Sequence, residues 1–231
     1  MSVQLPLTGL SLKDSLTFSS FYPGRNEEVL TFLKHLVEWK EQEQFIYLWG
    51  TSGAGVSHLL QATCYEFTQE KKACMYIPLS QKENYVPHLL EDLDLFHLVC
   101  LDDVECLEGD ASWQEAVFHL YNCLRDGEKK LMVGSHEPLQ TLNLLPDLKS
   151  RLAWGLNYEV KSLSDEEKIK ALQLRARTRG FELSEEVAQF ILRRVPRNMN
   201  TLFSTFDALD AAAIEAQRRI TIPFVKSVLA V

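Results

Sequence analysis

The stretch YLWGTSGAGVSHLL, residues 47–60, contains the residue types and spacing of a phosphate-binding loop. Gly50 to Ser57 follow the pattern G-x-x-x-x-G-K-[ST], except that Val56 replaces the lysine that would contact the β- and γ-phosphates. Backbone N–H groups and the N-terminus of the following helix can still bind an anion, because neither depends on the lysine side chain. The alternative is a strand-to-helix turn that binds no ligand.

Loss of the lysine should weaken phosphate binding selectively. A hydrogen bond to a charged group is worth about 1.5–3 kcal/mol, which corresponds to roughly 10- to 100-fold in affinity. The γ-phosphate depends most on that cation, so we expect a site that holds a nucleoside diphosphate better than a triphosphate. Ser57 is the candidate ligand of Mg²⁺ if the ion is present. The candidate nucleotide-binding residues of the loop are Gly50, Gly53, Ala54, Gly55, Val56, Ser57 and His58.

A second motif, which is acidic, supports the interpretation of the glycine loop as a nucleotide site. The apolar run HLVCLDDVECL, residues 97–107, ends a predicted strand in Asp102 and Asp103. Asp102 would hold Mg²⁺ through water, whereas Asp103 stands where an active ATPase usually has a glutamate that orients the attacking water. Aspartate is one methylene shorter, so the site is expected to bind nucleotide and hydrolyse it poorly. Two solvated acids at a strand end are the alternative.

Three further polar residues occupy positions that could act on phosphates. Ser135 ends the run KLMVGS, where a polar residue commonly senses a γ-phosphate, and Arg197 begins a predicted helix that could fold over the nucleotide. Arg151 lies near the end of a helix in LPDLKSRLAWGL, where it could point into the nucleotide site of a neighbouring molecule. An arginine supplied in trans accelerates phosphoryl transfer about 10³- to 10⁵-fold. Local pairing at the surface is the alternative for each arginine.

The elements that would position these residues form an α/β pattern. Short apolar runs separated by helical patterns predict a parallel sheet of five strands that is covered on both faces. After residue 161 the pattern becomes helical, with Ser164 and Glu167 spaced as a capping box and Gly180 as a helix stop. We therefore divide the chain into a tail (1–16), an α/β nucleotide-binding domain (17–161) and a small C-terminal helical lid domain (162–231). The predicted strands are residues 45–50, 73–78, 97–102, 130–135 and 157–160.

Composition narrows the class of protein. The net charge of −8 argues against a chain that binds DNA by itself, because phosphate binding requires a basic surface. The five cysteines form no CxxC pair and are interpreted as buried thiols of a reducing compartment. No apolar run approaches the roughly 20 residues of a membrane span, and the N-terminus lacks the features of a signal peptide. We expect a cytoplasmic protein without a membrane partner.

Six segments of the sequence are specific enough to be compared with known families: TFSSFYPGRNEEVL, YLWGTSGAGVSHLL, LVCLDDVECL, LPDLKSRLAWG, LSDEEKIKALQLRARTRGFELSEEV and RRITIPFVK. Through them, and over nearly its whole length, the chain resembles the DnaA-related AAA+ ATPase family, and within it the DnaA-homologous regulators of bacterial replication initiation. The fold that this resemblance implies is the AAA+ αβα sandwich with its five-stranded parallel sheet and helical lid.

The resemblance implies a regulatory function. Such regulators bind ADP, are loaded on DNA through the sliding clamp of the replicative polymerase (the β subunit of DNA polymerase III), and make DnaA hydrolyse its ATP, which prevents re-initiation. DNA is then contacted only indirectly, and a homodimer is possible. The clamp-binding motif of the family matches Gln4, Leu5, Pro6 and Leu7. This tetrapeptide suits an extended ligand, since the leucines offer apolar anchors and the proline lowers the ordering cost.

The resemblance also suggests roles for single residues. Arg151 matches the arginine finger that would act on the ATP of DnaA, and Arg197 matches the lid arginine. Phe21, Tyr22 and Gly24 fall in the segment that lines the adenine, although Phe21 could equally pack on the first helix.

Two other functions stay open. One is an ATPase that hydrolyses nucleotide in its own ring during DNA replication. The other is a DNA-binding initiator like DnaA itself. We expect the latter least, because the 231 residues contain no counterpart of the helix-turn-helix domain of DnaA and the chain is acidic.

Overall fold

Five short strands form one parallel sheet in a computed structural model that describes residues 16–38 and 42–229. The strands lie in the order β2-β3-β4-β1-β5, so β1 pairs with both β4 and β5. Their carboxyl ends meet at one edge of the sheet, which we call the carboxyl edge, and their starts meet at the amino edge. The bounds are β1 Phe45–Trp49, β2 Cys74–Pro78, β3 Leu98–Asp102, β4 Lys130–Ser135 and β5 Leu156–Glu159.

Alternating side chains of the strands pack into two separate cores. On one face, Ile46 and Leu48 of β1 pack with α1 (Glu27–Val37) and α2 (Val56–Gln69). On the other face, Tyr47 packs with residues of α3 (Ala111–Asp126) and α4 (Pro146–Ala153). Strands buried on both faces account for the continuous apolar runs in the sequence.

The last quarter of the chain forms a separate helical core. It consists of α5 (Asp165–Thr178), α6 (Glu185–Arg194), α7 (Met199–Ala216) and α8 (Ile222–Leu229), around Leu172, Leu202 and Phe206. Ser164 and Glu167 form the predicted capping box, and Gly180 follows the end of α5 with φ +85°. The αβα sandwich with a five-stranded parallel sheet and a helical lid is therefore confirmed.

Two details of the sequence interpretation are wrong. The connection between β2 and β3 contains three 3₁₀ turns (Leu79–Asn84, Pro87–Leu90 and Leu93–Leu95) in place of an α-helix. Pro87 forces Val86 into an extended conformation, which interrupts helical geometry. The expectation that the cysteines are buried holds for Cys64 and Cys100, whereas Cys74 and Cys106 are half-buried and Cys123 is exposed.

Candidate functional site

The glycine loop joins the end of β1 to the start of α2 in a conformation that requires its glycines. Gly55 caps α2 with φ +107°, and a Cβ there would lie 2.8 Å from the ring of Phe21. A Cβ on Gly50 would lie 2.4 Å from the carbonyl oxygen of Val160, at the end of the neighbouring strand. The loop therefore passes so close to the backbone of β5 and to Phe21 that side chains are excluded from both positions.

A cavity of about 500 Å³ lies between this loop, the first two turns of α2 and the lid. Pockets of this size hold small-molecule ligands. All seven loop residues predicted from the sequence line it, from Gly50 to His58. The other lining residues are Leu16, Thr51, Gln61, His136, Arg175, Arg179, Met199, Asn200, Phe203, Ser204 and Asp207.

The two predicted magnesium ligands lie together at the carboxyl edge. Asp102 is 2% exposed, and its Oδ2 accepts a hydrogen bond of 2.6 Å from the Tyr76 hydroxyl. Burial raises the pKa of the Asp102 carboxyl above its ordinary value, against the lowering effect of hydrogen bonds from Tyr76 and Ser57. Asp102 and Ser57 are hydrogen-bonded to each other, and their roles as magnesium ligands stay predictions.

Next to this pair, Ser135 lies in a cluster that the sequence did not predict. Its hydroxyl donates a hydrogen bond of 2.8 Å to Glu105, and the same carboxylate pairs with the His136 ring. The ring also lies 3.6 Å from Asp103. His136 lines the cavity, whereas Ser135 is 2% exposed and engaged by Glu105. A role for Ser135 in sensing phosphate stays a prediction.

The pKa of His136 reflects these acids. Burial lowers it, but the hydrogen bond to Glu105 and the negative charges of Glu105 and Asp103 outweigh burial, so the net pKa is raised. Asp103 adopts a left-handed backbone conformation with φ +60°, which is uncommon outside glycine. Glu105 and His136 each follow the end of a strand, and this position is the sequence feature that could have identified them as site residues. Polar residues are too common at strand ends for the position alone to be diagnostic.

The aromatic segment before α1 connects the loop to the lid. Phe21 is buried with its ring 5.3 Å from the ring of His58, and Tyr22 packs on the lid core. Gly24 has φ +53°, and a Cβ there would lie 2.8 Å from Leu163. Phe21, Tyr22 and Gly24 are not among the residues that line the cavity, and their predicted roles at an adenine stay predictions.

His58 belongs to the same junction. Its Nε2 lies 2.9 Å from the carbonyl oxygen of Thr17, so Nε2 carries the proton that is donated there. Burial lowers the pKa of His58 below its ordinary value. His58 is also one of the residues that line the cavity.

The lid presents different arginines to the cavity from the one predicted. Arg197 is exposed, and its guanidinium forms a 2.6 Å salt bridge with Asp165 at the start of α5. Arg175 of α5 and Arg179, which directly follows α5, line the cavity, and both are paired with Asp207 of α7. The sequence interpretation missed them because a surface stripe of arginines in a helix does not reveal which one faces a ligand.

Arg151 lies in the last turn of α4, as predicted, at the amino edge of the sheet. Its guanidinium is 5.4 Å from the ring of Trp154 and 5.9 Å from that of Phe118. Trp154 is 70% exposed. Within the described residues, the side chain of Arg151 has no hydrogen bond or salt bridge to an acidic group.

Two further predictions, the clamp-binding motif and the lack of a membrane span, do not concern the cavity or Arg151. Gln4, Leu5, Pro6 and Leu7 lie outside the described residues. Within residues 16–38 and 42–229, the helices all fall short of the length and apolarity that a bilayer span requires.

Two family models match the sequence. Residues 12–159 match the bacterial DnaA ATPase domain, and residues 165–229 match the model described as Hda, lid domain. The first match covers more than half of the chain and includes the glycine loop, the acidic motif and Arg151. The second begins at the first residue of α5.

Solved structures have the same fold. Domain III of the Thermotoga maritima replication initiation protein DnaA has a TM-score of 0.82 at 23% identity, over 95% of this chain and 98% of that one. AMPPCP-bound DnaA from Aquifex aeolicus gives 0.74 at 24% identity, over 88% and 68%. The Thermotoga maritima RuvB branch migration motor gives 0.66 at 14% identity, over 93% and 73%.

Proposed function

Because this chain belongs to the family of the bacterial DnaA ATPase domain, within the AAA+ ATPases, we propose that it is a regulator that stimulates ATP hydrolysis by DnaA. In this proposal the chain is bound to ADP or a similar nucleotide and to the DNA-loaded sliding clamp. Arg151 acts on the ATP of DnaA, and the result is that replication does not re-initiate. The reaction takes place in the cytoplasm, where DnaA acts.

The observation that carries the proposal is the surroundings of Arg151. The guanidinium of Arg151 lies over the rings of Trp154 and Phe118 and has no acidic partner among the described residues. Aromatic faces hold a guanidinium by cation–π attraction and leave its N–H groups available. An exposed tryptophan beside it is typical of the residues that anchor protein interfaces.

The position of Arg151 favours action on another molecule. Gly155, four residues later, packs against the carbonyl of Phe45 at the start of β1, whereas the glycine loop follows the end of β1. Five strand residues span about 16 Å, so Arg151 is too far from its own loop to reach a bound phosphate. A trans arginine contributes about 10³–10⁵ to the rate of phosphoryl transfer.

The chain's own cavity serves in this proposal as a binding site rather than a catalytic one. Val56 offers no cation, and Asp103 is engaged near His136. A nucleotide there would join the loop to the lid and so fix the shape of the molecule that DnaA meets. Support comes from DnaA of the same fold that was solved with AMPPCP.

Two contacts with partners complete the proposal. Gln4, Leu5, Pro6 and Leu7 would bind the sliding clamp, so DNA is reached through the clamp and not directly. A homodimer is compatible with the exposed surface around Arg151 and Trp154, and it would compete with DnaA for that surface.

The decisive test measures ATP hydrolysis by DnaA with the clamp loaded on DNA. Arg151→Ala is expected to lower the stimulated rate by about 10³-fold or more, because the trans guanidinium is lost. Arg194→Ala is the matched control, since Arg194 also ends a helix with its guanidinium 5.2 Å from an aromatic ring, that of Phe190. Equal stimulation by Arg151→Ala and wild type would refute the mechanism.

A self-acting ATPase is the second candidate, which the proximity of Ser57 and Asp102 favours. The purified chain with Mg²⁺ and ATP separates the two functions. Turnover that is robust and disappears in Asp103→Asn would identify an enzyme. We expect turnover near background, because neither a phosphate-binding lysine nor a catalytic glutamate is in place.

A further inference from the structure

Two arginines of the lid line the same cavity as the glycine loop. Arg175 lies in the last turn of α5, Arg179 directly follows the end of this helix, and both bind the carboxylate of Asp207 on α7. Arg175 holds it with two hydrogen bonds, of 2.9 Å from Nε and 2.7 Å from Nη2. Asp207 lines the same cavity, so the three charged groups share one wall.

These arginines compensate for the charge that the loop lacks. Apart from them, the basic side chains among the described residues of the lining are the imidazoles of His58 and His136, and the His136 ring is paired with Glu105 and Asp103. A phosphate held by backbone N–H groups in a loop without lysine still carries charge that must be balanced. The opposite wall of the cavity offers two guanidinium groups.

We propose that Arg175 and Arg179 bind the phosphates of a nucleoside diphosphate in place of the missing loop lysine, and that Asp207 holds both arginines until the nucleotide displaces it. The proposal rests on the proposed function, since it assigns ligands to that nucleotide site. Arg175 and Arg179 are binding residues, and Asp207 is a positioning residue that acts through them.

The geometry suits such an exchange. A guanidinium binds carboxylate and phosphate in the same two-pronged way, so phosphate oxygens can replace the Asp207 oxygens without a new arrangement of donors. Arg175 lies 4.6 Å from the ring of Phe203, and Arg179 retains a 2.6 Å salt bridge to Asp210. Both side chains therefore stay anchored to α7 when Asp207 releases them.

The exchange would couple the nucleotide to the lid. Without ligand, Asp207 ties α5 to α7 inside the lid. With ligand, the same arginines tie α5 to a phosphate that is held by the loop of the α/β domain. The negative charges of Asp207 and a bound phosphate repel each other. The phosphate therefore weakens the binding of Asp207 to the arginines, and Asp207 weakens the binding of the phosphate.

The test is calorimetric titration of the full chain with ADP. Arg175→Gln and Arg179→Gln are each expected to weaken ADP binding by about 10-fold, the loss of one charge-assisted contact. Asp207→Asn is expected to tighten it by roughly 3- to 10-fold, because the competing carboxylate is gone. Adenosine, which has no phosphate, should bind all variants equally.

Two variants serve as matched controls. Arg177→Gln removes the same charge from α5, at an exposed residue between the two arginines, and should leave ADP binding unchanged. Asp165→Asn removes a lid carboxylate that is paired with Arg197 instead. Thermal unfolding of each variant monitors the fold, and a gain of affinity in Asp207→Asn cannot arise from damage to the lid.

The outcomes are separable. If wild type binds no ADP, the nucleotide part of the proposed function fails, and this proposal fails with it. If wild type binds ADP and the three variants match it, only this proposal is overturned. Weaker binding by Asp207→Asn would reduce the three residues to a structural role. Tighter binding by Asp165→Asn alone would assign the phosphates to Arg197.

Discussion

Charged side chains at the two edges of the sheet differ in what holds them. Around the glycine loop at the carboxyl edge, Asp102 is bonded to Tyr76 and His136 to Glu105. At the amino edge, Arg151 lies between two aromatic rings without an acidic partner among the described residues. The first arrangement satisfies its charges within the chain, and the second leaves a cation to be satisfied by something else.

The difference separates binding from chemistry. A site whose polar groups are already paired can take a ligand only by exchanging partners, which limits affinity and slows reaction. A preorganised cation on an aromatic surface is ready for a negative charge that arrives from outside. The two edges thus correspond to a regulatory ligand site and an effector site, and the four variants that follow challenge this division.

The largest effect is expected at the amino edge, for Gly155→Ala. A Cβ there would lie 2.1 Å from the carbonyl oxygen of Phe45, and backbone cannot give way as a side chain can. We expect a loss of about 3 kcal/mol or more in the free energy of unfolding, measured by urea denaturation. Stimulation of DnaA should fall too, since Trp154 directly precedes this glycine and Arg151 lies four residues before it.

Gly127→Ala is the control for that variant. It follows α3 at the same edge, and its Cβ would lie 3.3 Å from the carbonyl oxygen of Cys123, so its cost should stay near 0.5 kcal/mol. Equal stability of the two variants would show that the close approach of Gly155 to Phe45 does not fix the position of Arg151.

A second variant restores the missing cation at the carboxyl edge. Val56→Lys places an ammonium group at the first residue of α2, in the lining of the cavity. ATP affinity should rise about 10-fold or more, the worth of one charge-assisted hydrogen bond. Titration calorimetry with ATP and ADP measures it, and Val56→Met controls for side-chain length without charge. No preference for Val56→Lys over Val56→Met would mean that the γ-phosphate does not lie near residue 56.

The sequence predicted those parts of the site whose residues lie close together along the chain, and it missed those that only tertiary packing brings together. The loop was predicted residue by residue because its glycines are required within eight consecutive positions, and the sheet because its strands are apolar on both faces. Arg175, Arg179 and Asp207 were missed because their meeting depends on the packing of α5 against α7. Arg197 precedes α7, is paired with Asp165, 32 residues earlier, and is not among the residues that line the cavity, so its role stays a prediction.

A third prediction concerns pH. The Asp102 carboxyl has a raised pKa in the folded protein, chiefly because it is buried, so the folded state binds a proton more tightly than the unfolded chain. Its contribution to stability is complete below the unfolded pKa of about 3.9 and is lost as pH rises through the folded pKa. Asp102→Asn should remove this loss, at most about 1.4 kcal/mol per pH unit, and so stabilise the ligand-free protein at neutral pH.

Urea denaturation between pH 4 and 8 compares Asp102→Asn with wild type, and Asp94→Asn, at an exposed residue, is the control. If Asp102→Asn is less stable than wild type at neutral pH, the carboxylate is held by its hydrogen bonds more strongly than burial opposes it. In that event burial of the charged Asp102 would not destabilise the carboxyl edge of the sheet.

The smallest effect is expected for His136→Gln. The Glu105 carboxylate overcomes burial and raises the pKa of His136, so the folded state again binds the proton more tightly. The resulting stability is present below the unfolded pKa of about 6.5 and is lost as pH rises through the folded value. Because the His136 side chain is 45% exposed, the loss in His136→Gln should not exceed about 1 kcal/mol at pH 6 and should shrink towards pH 8. His119→Gln, on an exposed part of α3, is the control. A constant loss across this range would mean that His136 stabilises the carboxyl edge by packing, and that its charge is not balanced by Glu105.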